Sequence, residues 1–214
     1  MKKYAFLIID TETTGLADDD EMLEFAACAP DGSLAWRSLC KPERHQEWPD
    51  AEKINRISPA DVEFAMTAGQ QKEGISDLLS STALIAGYNV QFDIRVLKRS
   101  GIELPRDLLC ADIMDAVVDR FGKRMSLADA CAALGIAFGG KGPHSAGADA
   151  RAAIQVFTAI SLCGISGPCP RAAASAGPSA SKGGASADED ALEELLHADR
   201  RTSENFMRYA YAIF

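Results

Sequence analysis

Residues 3–10, Lys-Tyr-Ala-Phe-Leu-Ile-Ile-Asp, form an almost unbroken apolar run that ends on a charge. The run is far too short to span a bilayer, which takes about 20 residues. With apolar side chains on both alternating faces, it reads as a strand covered from both sides. Such a strand needs layers above and below it, which confines the chain to an α/β architecture. Residues 22–29 and 34–40 read as two more strands around the turn Pro30-Asp31-Gly32, so the first three strands are expected to run antiparallel. Helical patterns then alternate with short strands. One helix is expected to open at Ser58-Pro59, with proline at its first position. Further helices are expected over 70–80, 92–100, 112–121, 126–134 and 146–162, with strands over 83–86 and 108–110. The expectation is a mixed β-sheet, three antiparallel strands followed by α-β-α-β-α, flanked by helices.

Composition changes once along the 214 residues. Between 164 and 187, twenty of twenty-four residues are Gly, Ala, Ser or Pro, too little apolar surface to offset the entropy of ordering. This divides the chain into a body over 1–163, a flexible linker over 164–187 and a tail over 188–214. The tail starts with acids and ends with Phe206, Met207, Tyr209, Tyr211 and Phe214, the pattern of an amphipathic helix that needs a surface to dock on. Thirty-one acids against twenty-two bases leave a net charge of −9. That excludes holding nucleic acid by bulk charge alone, which requires a basic surface. It does not exclude chemistry on a phosphodiester, where a bound divalent metal can supply the positive charge. No segment reads as a signal peptide or a membrane span. The six cysteines include no C-x-x-C pair, and four fall in predicted strands or helices, so reduced thiols in a cytoplasmic chain are expected.

Three places carry chemistry. Asp10-Thr11-Glu12 puts two carboxylates on one face of an extended chain, roughly 6.5–7 Å apart. Their repulsion calls for a counter-charge, and a hard divalent cation is the natural one. Taken alone, the pair also fits a strand that surfaces with both acids solvated. Thr13-Thr14-Gly15-Leu16 follows, where a tight turn and two hydroxyls could hold a phosphate or close the strand. Asp93 opens a predicted helix behind Asn89-Val90-Gln91-Phe92, with Arg95, Lys98 and Arg99 along it. His144 lies in a glycine-rich loop, and Asp149 lies one turn into the next helix. Imidazole has the pKa, about 6.5, to take a proton from water near neutrality, although a lone histidine is more often structural.

In order, D-T-E-T-T-G-L, N-x-x-F-D and H-x4-D resemble the DEDDh family of 3′–5′ exonucleases. This is the DnaQ-like group, which includes the proofreading epsilon subunit of bacterial DNA polymerase III, on a ribonuclease-H-like fold. The resemblance covers roughly residues 3–162, and Ile54-Asn55-Arg56-Ile57-Ser58 is similar to the family's substrate-side I-N-G-I-T segment. It implies Asp10, Glu12, Asp93 and Asp149 as ligands of two Mg²⁺ or Mn²⁺ ions and His144 as general base. It also implies Thr11, Thr13, Gly15, Leu16, Asn55, Asn89 and Phe92 as substrate contacts. The reaction implied is hydrolysis of phosphodiester bonds from single-stranded DNA 3′ ends to 5′-mononucleotides, in proofreading or repair. RNA ends and a polymerase-docking module are the alternatives, the latter with the tail as the contact to a protein partner. The chain departs from the family at Tyr88, where histidine is frequent, and in the small residues between His144 and Asp149.

Overall fold

The computed structural model describes residues 4–138 and 144–165. The expected tail and all but the first two residues of the expected linker lie outside them. Five strands, β1 (Leu7–Thr13), β2 (Met22–Cys28), β3 (Leu34–Leu39), β4 (Leu84–Gly87) and β5 (Leu109–Asp112), form one sheet in the order β3-β2-β1-β4-β5. The first three are antiparallel, whereas β1–β4 and β4–β5 are parallel, which makes the sheet mixed as expected.

Period-two alternation along central β1 sorts the two sides of the core. Ile8 faces α4 (Ile113–Phe121), α5 (Leu127–Leu134) and α6 (Ala146–Ile165), packing with Val117, Cys131 and Phe157. Leu7 and Ile9 face α2 (Ala68–Ser80) and α3 (Val90–Arg99), packing with Ile75, Leu79 and Leu97. Cys28, Cys40 and Cys131 are buried free thiols, and burial raises each of them to about 11 or 12. No described helix is long and apolar enough to cross a membrane.

Two expectations are corrected. No helix opens at Ser58-Pro59. There, the Ser58 amide and hydroxyl both donate to Asp61 Oδ2, at 2.8 and 2.6 Å, in a run of turns. The helix of this region lies earlier, as α1 (Pro49–Asn55). Trp48 fixes the arrangement by donating its indole N–H to the Ile57 carbonyl (2.6 Å) and packing with Ile57, Val62 and Leu23. The second correction is to β1, which runs through the acidic motif to Thr13 instead of ending at Asp10. Its ladder pairs Asp10 with Ala26 and Glu12 with Glu24. Strand pairing overrides the polar sequence, because these backbone groups need partners inside the protein.

Candidate metal centre

Because Asp10 and Glu12 share the face of Ile8, the strand delivers both to α6. There they meet Asp149, one turn into that helix, and an oxygen of each lies within 4.8 Å of the others. Asp93 approaches from the opposite layer. It sits in the first turn of α3, is 3% exposed, and accepts a 2.6 Å hydrogen bond from the Thr11 hydroxyl on the other face of β1. The structure therefore brings three of the four expected acids into one tight group and holds the fourth beside them through Thr11.

The start of α3 is itself braced. Asn89 has left-handed backbone (φ 67°), and its N–H donates to Asp112 Oδ1 (2.8 Å). The same oxygen caps α4 by accepting from Met114 N–H (2.9 Å). Thus β5, α4 and α3 fix one another where Asp93 emerges.

Each of the four acids holds its proton above the ordinary carboxylate range. Burial, followed by the charges of Asp93, Glu12, Asp149 and Glu24, pushes Asp10 well up. Burial with Asp149, Glu24 and Asp93 raises Glu12 to about 8. Burial raises Asp93 to about 7 against the opposing bond from Thr11. Asp149 is raised by burial and partly relieved by His144. An all-oxygen set of crowded anions with this proton appetite fits a hard divalent cation, which displaces the protons and removes the repulsion. This donor set therefore suits Mg²⁺ or Mn²⁺.

His144 also has left-handed backbone (φ 69°), and its N–H donates to both Asp149 oxygens at 3.2 and 3.3 Å. Its side chain is exposed beside the cluster. One acid escaped the sequence reading. Glu24, on β2 opposite Glu12, is 1% exposed; it pairs with Arg37 Nε (2.6 Å) and accepts from Ala146 N–H (2.9 Å). Its signal was available as a single charge in the otherwise apolar Met-Leu-Glu-Phe-Ala-Ala-Cys of β2.

The expected substrate contacts divide by exposure. Leu16 (85% exposed) and Asn89 face solvent, and Phe92 is half-buried. Thr11 and Thr13 are buried, the latter donating to Gly15 O (2.6 Å), while Thr14 donates to Asp20 Oδ1 (2.7 Å). Gly15 has no left-handed backbone, so the tight turn expected there is not what selects glycine. Instead the Asp20 carboxylate occupies the space of a Cβ. Asn55 is 6% exposed and braces the strand end, donating to Thr13 O (3.1 Å) and accepting from Ile57 N–H (3.0 Å).

Comparison with known proteins bears on the same body. Residues 7–157 match the model of the RNase T exonuclease family. An uncharacterized exonuclease, CP81 of Escherichia phage 186, is 29% identical over 175 residues, covering 74% of this chain and 89% of its own. Among solved structures, the nuclease domain of 3′hExo, a DEDDh family member bound to rAMP, superposes with a TM-score of 0.61 at 17% identity. That alignment covers 75% of this chain and 94% of the other. Exonuclease X in complex with 5′-overhanging duplex DNA gives 0.56 at 22% identity, covering 74% and 93%. S. pombe Pop2p in its Mg²⁺- and Mn²⁺-bound form gives 0.58 at 15%, covering 75% and 83%. With the family model spanning most of the described body and the motif acids gathered on β1, α3 and α6, the chain belongs to the RNase T exonucleases and carries a nuclease domain of the DEDDh type.

Proposed function

We propose that the protein is a divalent-metal-dependent 3′–5′ exonuclease that removes 5′-mononucleotides from single-stranded DNA ends. The observation that carries this reading is the convergence of Asp10, Glu12 and Asp149 within 4.8 Å, with buried Asp93 alongside. These four carboxylates would hold two Mg²⁺ or Mn²⁺ ions. When bound, the ions supply positive charge to the acids and to the reacting phosphate. His144, exposed at the rim, takes the proton from the attacking water, and its backbone bond to Asp149 keeps it beside the cluster. Exposed Leu16 offers apolar surface for the terminal base, and Asn89 and Phe92, at the start of the helix that carries Asp93, would add further contacts. Thr11, Thr13 and Asn55 are buried and brace the end of the strand that carries Asp10 and Glu12.

The likeness of D-T-E-T-T-G-L to a polymerase proofreading subunit and the DNA-bound relative support DNA as substrate. The rAMP-bound relative favours RNA as the second reading. Matched 3′-labelled and 5′-labelled DNA and RNA oligonucleotides, each with Mg²⁺, Mn²⁺ and chelator, test all parts together. Mononucleotides from the 3′ label, only with metal and faster on DNA, are expected. Release from the 5′ end, or chelator-resistant activity, would remove the reading.

A further inference from the structure

Glu24 has no place in the chemistry above, yet it is among the most deeply buried charges described. In the β1–β2 ladder it lies directly opposite Glu12, where like charges are unfavourable. Burying an anion there also carries a desolvation cost, so an apolar residue would serve the sheet better. What Glu24 does with its two oxygens explains its presence. Oε1 receives Arg37 Nε from β3 at 2.6 Å, and Oε2 receives the N–H of Ala146, the first residue of α6, at 2.9 Å. Arg37 reaches the same segment, with Nη2 3.4 Å from Ser145 Oγ. It also lies flat on Gly147, where a Cβ would come within 3.0 Å of Arg37 Cδ and 3.1 Å of Nε. Three consecutive residues, Ser145 to Gly147, therefore rest on one ion pair. They separate His144 from Asp149, which are themselves joined by the His144 N–H bond.

We propose that Glu24, locked by Arg37, is a positioning residue that seats the 144–149 segment, setting where Asp149 and His144 stand relative to Asp10 and Glu12. It acts through α6, since each oxygen already has a protein partner. The idea rests on the proposed metal-dependent hydrolysis, but part of its test needs neither metal nor substrate. Outer supports of this kind typically change metal affinity or activity 10–100-fold when removed.

The full-length variants Glu24→Gln, Arg37→Met, Gly147→Ala and Glu24→Gln/Arg37→Met test it. Glu24→Gln keeps the side-chain shape and one amide oxygen as acceptor while removing the charge that holds Arg37. Three readouts apply: amide exchange over 145–149 in metal-free protein, calorimetric titration with Mn²⁺, and kcat and KM on a nitrophenyl nucleotide ester. Glu24→Gln should exchange faster over 145–149, bind Mn²⁺ 10–100-fold more weakly and lose kcat to a similar degree, with KM within about twofold. Gly147→Ala should do the same more mildly, and the double variant should lose no more than Glu24→Gln alone. Unchanged exchange and Mn²⁺ affinity with only a lower melting temperature would reduce the pair to packing and overturn the proposal. Loss of Mn²⁺ binding as complete as in Asp10→Asn, with exchange unchanged, would make Glu24 a ligand and overturn it too. A wild type that binds no Mn²⁺ would strike the metal reading, while the exchange comparison would still judge the seat.

Discussion

Four crowded carboxylates, each pushed above its ordinary protonation range chiefly by burial, make the bare site a source of instability. Removing one of them should show it. Asp10→Asn should raise the melting temperature of metal-free protein at pH 8, abolish turnover and largely remove stabilisation by Mn²⁺. In the wild type that stabilisation is about 2.7 kcal/mol at 100 times Kd. A variant that stays active or melts lower would contradict the crowding. The sign of the pH dependence follows from the same groups. Native Asp93 and Glu12 protonate at about 7 and 8, against about 4 in the unfolded chain. Between those limits the native state binds more protons, so metal-free stability should fall as pH rises from about 4 to 8. Glu21 has the opposite sign. Burial raises it, but hydrogen bonds from the Glu43, Arg44 and His45 amides and the His45 ring prevail and lower it to about 2, so its effect lies below about pH 4.5. Urea titrations across pH, with chelator and with Mn²⁺, check both slopes. His144→Ala should lose roughly 10²–10⁴-fold in rate while Mn²⁺ affinity holds. A rate within a few-fold of wild type would leave His144 without a part. Asp10, Glu12, Asp93, His144 and Asp149 stand out as candidates because their spacing survives in the linear sequence. Glu24 and Arg37 do not, because the register that faces one with Glu12 and bonds it to the other exists only once three strands pair.

At the scale of elements, the braces set the geometry. Asp112 caps α4 and tethers Asn89 with one oxygen. Asp112→Ala should cost about 1–2 kcal/mol in denaturant unfolding and reduce activity beyond the loss in folded fraction, because Asp93 loses its anchored turn. Asp112→Asn, which keeps an acceptor, should recover most of both; equal damage from the two would point to charge instead. Most elements could be read from periodicity. The three antiparallel strands and the helices from α2 onward lie within a few residues of their expected places. The failures have local causes. The end of β1 is polar because it carries Asp10 to Thr13, so alternation alone ends it early. The pattern at Ser58-Pro59 is a good helix start, but a Ser58–Asp61 turn pinned under Trp48 takes its place. The helix α1 has no side-chain cap and only seven residues, so it announces itself weakly.

Across the whole molecule, every candidate site residue precedes the segment that the composition marks as a linker. Removing residues 166–214 should therefore leave hydrolysis of a nucleotide ester unchanged within about twofold, with any loss falling on long substrates or partner binding. A folded but inactive truncation would place the tail in the site. The acids come from β1, α3 and α6, so Asp10 and Asp149 meet across 139 positions of chain. The β1–β2–β3 meander and the β4–α3–β5 half can form from near neighbours, whereas α6 closes the longest loop and docks against strands laid down at the opposite end. Asp149 joins Asp10 and Glu12 only through the packing of α6 on β1 and β2, so the acid group needs both ends of the body in place. The electrostatic cost of gathering the acids therefore falls on the contact between α6 and the strands. A chain that stopped short of Ala146 would lack Asp149 and leave the three-acid group incomplete.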